Sequence, residues 1–112
     1  MRSELLKGHL DALLLAALEP GPRHGYAVIE ALRSGSGGAL DLPTGTVYPA
    51  LHRLERAGVI ESDWQTVGGR RRRAYRLTAA GHAALGEHRV IWDQFSTAVT
   101  AMLAARARPA TT

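Results

Sequence analysis

Residues 44–77 read TGTVYPALHRLERAGVIESDWQTVGGRRRRAYRL, and the order of patterns within them decides the fold. Val47, Ala50, Leu51 and Leu54 recur at helical spacing in one narrow stripe, with Gly45, Pro49, His52, Arg53 and Arg56 on the opposite side. The spacing predicts a helix from Thr44–Thr46 to Ala57, closed by Gly58. With Thr46 as N-cap, Pro49 falls in the first turn, where its missing N–H costs nothing. Two alternating segments, 59–67 and 71–77, then flank Gly68 and Gly69, which predicts a β-hairpin with a glycine turn. Arg70, Arg71, Arg72 and Arg73 therefore lie at the tip and along one arm of that hairpin. Adjacent guanidinium groups repel one another, so they need a partner or water on every side.

Upstream, Leu6, Leu10, Leu13, Leu14, Ala17 and Leu18 predict a first helix over residues 4–18, ended by EPGPR at 19–23. A second helix is expected over 23–34, with Tyr26, Val28, Ile29 and Leu32 as its buried face, ended by SGSGG at 34–38. Downstream, Thr78 is placed to cap a last helix over 79–105. Leu85, His88, Trp92, Phe95, Val99 and Met102 step by three and four along it, a short heptad stripe that needs a partner. The division expected is a winged helix-turn-helix domain over 1–78, a dimerisation helix over 79–105 and a disordered tail over 106–112. The fold class is mainly α with a small β-hairpin.

Net charge is +4 over 112 residues, and it is concentrated. Residues 53–76 hold seven bases and three acids, whereas the other 88 residues hold seven of each. A localised basic patch points to a polyanion. There is no cysteine, which excludes disulfides and thiolate metal sites. The five histidines show no metal-ligand spacing, and no nucleophile–base set is visible, so neither metal, cofactor nor enzymatic activity is expected. The longest apolar run, ALLLAAL at 12–18, is too short to span a bilayer, and the N-terminus lacks a signal-peptide pattern. The expected location is cytoplasmic, with no membrane partner.

Three helices followed by a hairpin is the order of a winged helix-turn-helix, whose third helix enters the DNA major groove. Phosphates supply most of the affinity, and arginine's flat donor fork suits them. Double-stranded DNA is thus the expected partner of the wing arginines.

LLKGHLDALLLAAL, GPRHGYAVIEAL, TGTVYPALHRLERAGVIES, GGRRRRAYRLTAAG and the late Trp92 together resemble the PadR family of bacterial transcriptional regulators. The resemblance covers residues 4–105 and fits the compact subgroup with one C-terminal helix. It implies a repressor that binds a pseudo-palindromic operator as a homodimer. By motif match, DNA-facing roles fall on Tyr26, Thr46, Tyr48, Arg53 and the wing arginines Arg70–Arg73, with His52 and Arg56 beside them. The implied dimer interface uses Leu6, Leu10, Leu85, Trp92, Phe95, Val99 and Met102. In some members a small planar or phenolic effector binds near that interface and releases DNA; Trp92 is the matching position, with His88, Phe95 and Ala12 as further candidate effector contacts. Two departures stand out: Ala74 replaces the first of two aromatics before RLT, and Ala79 replaces the glutamate that often follows LT. Two alternatives stay open, a winged-helix module whose wing binds protein, and a constitutive DNA-binding protein with no effector.

Overall fold

A computed structural model describes residue 6 and residues 8–105. In chain order its elements are helix α1 (Leu10–Leu18), strand β1 (Arg23–His24), α2 (Gly25–Gly35), α3 (Thr44–Arg56), β2 (Ile60–Val67), β3 (Arg70–Leu77) and α4 (Ala79–Ala104). The strands form one antiparallel sheet in the order β1-β3-β2. This is a winged helix-turn-helix carrying a long C-terminal helix.

The helix expected over 4–18 is interrupted: Leu6 is helical, but Gly8 and His9 form a turn. Gly8 has φ of 87°, a left-handed conformation that interrupts helical hydrogen bonding, and α1 begins at Leu10 after His9. The remainder of that expectation, at residues 4, 5 and 7, and the tail at 106–112 lie outside the described residues. The second helix is corrected too. Arg23 and His24 are extended and pair with Tyr75 and Ala74 of β3. The Arg23 Nε donates to the Ala17 carbonyl at 2.8 Å, which ties this edge strand to the end of α1.

Apolar stripes from every element meet in one core. Leu14, Leu15 and Leu18 of α1, Val28, Ile29 and Leu32 of α2, and Val47, Leu51 and Leu54 of α3 are buried together. Ile60, Tyr75 and Leu77 close it from the sheet. Each such side chain stabilises the folded state by roughly 1.5–3 kcal/mol through burial, which is why short helices hold together here. Tyr26 does not join them: its side chain is 62% exposed. Leu6 and Leu85, expected at a dimer interface, are instead interior to this core at 8% and 2% exposure.

Helix α3 starts two residues earlier than Thr46, with Pro43 as its N-cap. Thr46 is the third helical residue, and its N–H bonds the Pro43 carbonyl at 3.0 Å. Pro49 therefore sits in the second turn, and the Gly45 carbonyl four residues back loses its helical donor. Both residues are on the exposed side, so solvent can satisfy that carbonyl.

The hairpin is the one expected. Gly68 and Gly69 have φ of 57° and 76°, the two positive values that a type I′ turn needs. The turn sets a register running from Ile60 opposite Leu77 to Val67 opposite Arg70. At its foot, Thr78 caps α4 despite the alanine at 79. Its Oγ accepts from the Gly81 N–H at 3.1 Å and donates to the Gly58 carbonyl at 2.7 Å. Gly81 admits no side chain, because a Cβ there would run into the Val59 carbonyl. Further along, the Arg89 guanidinium grips both Glu19 oxygens at 2.7 Å and ties α4 to the end of α1. Only Gly81 and Leu85 of α4 are buried.

Candidate nucleic-acid interface

Between the start of α2, the outer side of α3 and the wing lies an open groove of about 610 Å³. Tyr26, Tyr48, His52, Trp64, Arg71 and Arg72 are among the residues lining it, and none of its lining residues is a carboxylate. Gly25 shapes its floor. A Cβ at that position would stand 2.6–2.8 Å from three atoms of the Tyr48 phenol, so only glycine lets Tyr48 lie against the start of α2. Tyr26, next in the chain, lies off the buried stripe of α2 and faces outward. His52 and Arg56 are exposed on α3, and Thr46 is half-buried near its beginning.

The arginines separate into two kinds. Arg70, Arg71 and Arg72 are exposed and make no ion pair among the described residues. Arg56 of α3 is likewise exposed with no ion pair among the described residues, whereas Arg73, Arg76 and Arg53 are committed. Arg73 donates through Nε to Ser62 Oγ at 2.6 Å and stands 3.7 Å from Glu55. Arg76 pairs with Glu61 at 3.0 Å and with Asp63. Arg53 makes a two-pronged contact with Asp11 of α1, at 2.7 and 3.0 Å. The motif match gives Arg53 a DNA-facing role; in the structure its guanidinium is held against α1 across 42 residues of sequence.

The Arg53 fork holds the Asp11 carboxyl below its ordinary range, against the opposing effect of partial burial. A depressed carboxylate contributes stability that is present above its unfolded pKa and is lost as pH falls through the lower folded value. The pair is half in solvent, so the contribution is under about 1 kcal/mol. Asp11→Ala is thus expected to lower the urea midpoint slightly at pH 7 and by less in acid, as pH falls through the lowered folded pKa of Asp11. Midpoints measured at pH 7 and in acid check this; an unchanged deficit in acid would show that packing, not charge, is what Asp11 contributes.

A second cluster lies where α4 leaves the body. The Trp92 indole meets the His9 ring edge-on at 5.3 Å between centroids, and Phe95 stands 6.3 Å from Trp92 at a tilt of 53°. Trp92, Phe95 and Met102 are exposed by 54, 55 and 76%, and Val90, Ile91 and Leu103 are exposed beside them. Val99 is half-buried, as are Leu10, Ala12 and His88. His88 is near enough to Asp11 to favour its ionised form, as a smaller influence than Arg53. The expected effector positions Trp92, Phe95, His88 and Ala12 thus occupy the α1–α4 junction, remote in sequence from the groove.

Sequence reading missed His24, Trp64, Ser62, Glu55 and Asp11 as parts of these sites. For Trp64 and Ser62 a signal existed. A two-residue turn at 68–69 sets cross-strand partners by counting, and the count brings Trp64 opposite Arg73 and Ser62 opposite Tyr75. Nothing local pairs Asp11 with Arg53.

Residues 14–87 match the model of the Transcriptional regulator PadR-like family. The chain is 42% identical over 77 residues to transcriptional regulator Rv3488 of Mycobacterium tuberculosis, which covers 69% of this chain and 59% of that protein. It is similar to the crystal structure of a PadR family transcriptional regulator from Eggerthella lenta, with 31% identity, a TM-score of 0.80, and coverage of 92% of this chain and 88% of that one. It is also similar to a PadR-like transcriptional regulator from Bacillus cereus, with 26% identity, a TM-score of 0.81, and coverage of 92% and 99%. Among the described residues no helix is long and apolar enough to cross a membrane.

Proposed function

Because the chain belongs to the Transcriptional regulator PadR-like family, and is a DNA-binding regulator and not an enzyme, we propose that it represses transcription as a homodimer seated on a pseudo-palindromic operator. The observation that carries this reading is the groove between α3 and the wing. It is cationic and aromatic, no carboxylate lines it, and three arginines beside it have no acidic partner among the described residues. Helix α3 presents His52 and Arg56 to base edges in the major groove. Tyr26, Thr46 and Tyr48 approach the flanking backbone, and Arg70–Arg72 reach the adjacent phosphates. Arg53 joins them by exchanging Asp11 for a phosphate or a base.

The dimer is supported by the exposed apolar side chains of α4, more than a lone protomer of this size leaves in water. An effector reading is supported by the Trp92 indole, which is exposed and already edge-on to His9. A flat phenolic guest stacking there shifts the angle between the two heads and, by linkage, the affinity for DNA.

Titrating a duplex from the protein's own promoter at several salt concentrations tests the central claim. Contact with about six to eight phosphates per dimer gives a log–log slope of roughly −5 to −7. A flat response would remove DNA as the partner and favour a protein-binding wing.

A further inference from the structure

The wing arginines are exposed, yet two of them are arranged. Along the hairpin one face carries Ile60, Ser62, Trp64 and Thr66 from β2, and Arg71, Arg73, Tyr75 and Leu77 from β3. At the foot of the hairpin this face is core: Ile60, Tyr75 and Leu77 are buried. Two residues further out the core ends and a chain of polar contacts continues along the same face. Ser62 Oγ donates to Glu55 Oε2 at 2.5 Å, and the same oxygen accepts from Arg73 Nε at 2.6 Å. The Arg73 guanidinium lies over the Trp64 ring at 5.2 Å from its centroid, and the Arg71 guanidinium lies over that ring at 4.9 Å. Glu55 belongs to α3, so the chain runs from the recognition helix to the outer part of the wing.

Two cations over one indole repel each other unless one is compensated. Glu55, 3.7 Å from the Arg73 guanidinium, compensates that one and leaves Arg71 with its full charge. Trp64 is 55% exposed, far more than core packing requires, and its indole is the strongest cation-binding face among side chains. A long flexible arginine otherwise loses rotamer freedom on meeting a phosphate, a cost that prior stacking reduces.

We propose that Trp64 is a positioning residue for DNA binding: backed by the Glu55–Ser62–Arg73 chain, its indole holds Arg71 in place to meet a phosphate, and makes α3 and the wing one gripping unit. This rests on the reading that the wing meets DNA. Trp64 itself need not touch the duplex. Arg70 and Arg72 point from the other face of the hairpin and lack this support.

The test compares the full-length parent with Trp64→Leu, Trp64→Phe, Ser62→Ala and Arg71→Ala, each alone, and with the Trp64→Leu/Arg71→Ala pair. The probe is a duplex from the protein's own promoter. Trp64→Leu removes no charge, yet is expected to weaken binding by about two- to fivefold per protomer and to reduce the salt slope by about one to two. Trp64→Phe recovers most of the loss, because the ring is kept. Arg71→Ala costs much less in the Trp64→Leu background than in the parent. In a Trp92→Phe background Trp64 is the only tryptophan, and its emission shifts when Arg71 is replaced, before any DNA is added. Parent-like affinity and slope in Trp64→Leu, with Arg71→Ala equally costly in both backgrounds, would overturn the positioning role and leave DNA binding intact. A parent that ignores the duplex would overturn the DNA reading and this one with it. Circular dichroism of each variant separates these results from misfolding.

Discussion

Replacing Arg70, Arg71 and Arg72 together by alanine is expected to flatten the salt dependence of duplex binding by about five in log–log slope, because about six phosphates per dimer are no longer neutralised. At physiological ionic strength this corresponds to at least about a thousandfold weaker binding. The loss should be the same for operator and unrelated duplex, because phosphate contacts carry register and not sequence. These side chains are exposed and have no acidic partner among the described residues, and of the three only Arg71 stacks on Trp64, so stability should stay within about 1 kcal/mol of the parent. A different signature is expected on α3. His52→Ala and Arg56→Ala should change which base pairs are preferred, by about 1–3 kcal/mol at the position each one reads, and change the salt slope far less. Fluorescence anisotropy with a panel of single-base operator variants at several salt concentrations distinguishes the two. A triple variant that kept its slope would show that the wing is not where the phosphates are met.

The second large effect concerns assembly. Trp92→Asp with Phe95→Asp is expected to convert a dimer into a folded monomer by light scattering, and to weaken operator binding by about 10²–10⁴ as the two half-sites lose their linkage. The substitution is informative because of where these side chains lie. They are half exposed on a helix whose buried contacts stop at Leu85, so charge at 92 and 95 leaves the core untouched. Truncation before residue 85 would be a poorer test. It removes Leu85 from the core, at a cost of about 2–5 kcal/mol, and unfolding would be confused with dissociation. A double variant that remained dimeric would move the seam to another surface.

Both expectations depend on how local and long-range information divide in this chain. Helix α3, the glycine turn at 68–69, the Thr78 cap and the run of α4 were all legible in the amino-acid sequence. Each is set by residues within one or two turns of one another: an apolar stripe, two glycines with positive φ, a hydroxyl three residues before the amide it accepts from. The PadR-like likeness was legible for the same reason, since its motifs are local segments in a fixed order. Tertiary structure decided the rest. It left Tyr26 outside the core, because Gly25, Val28, Ile29 and Leu32 form the buried stripe of α2. It placed Leu6 and Leu85 inside the protomer, and paired Arg23 and His24 with β3 in a strand too short to show a period. It divided seven similar-looking bases into those with carboxylate partners and those without. Which arginine meets a carboxylate depends on what chain folding carries to within about 3 Å of it, and Asp11, 42 residues from Arg53, leaves no mark in the pattern around Arg53.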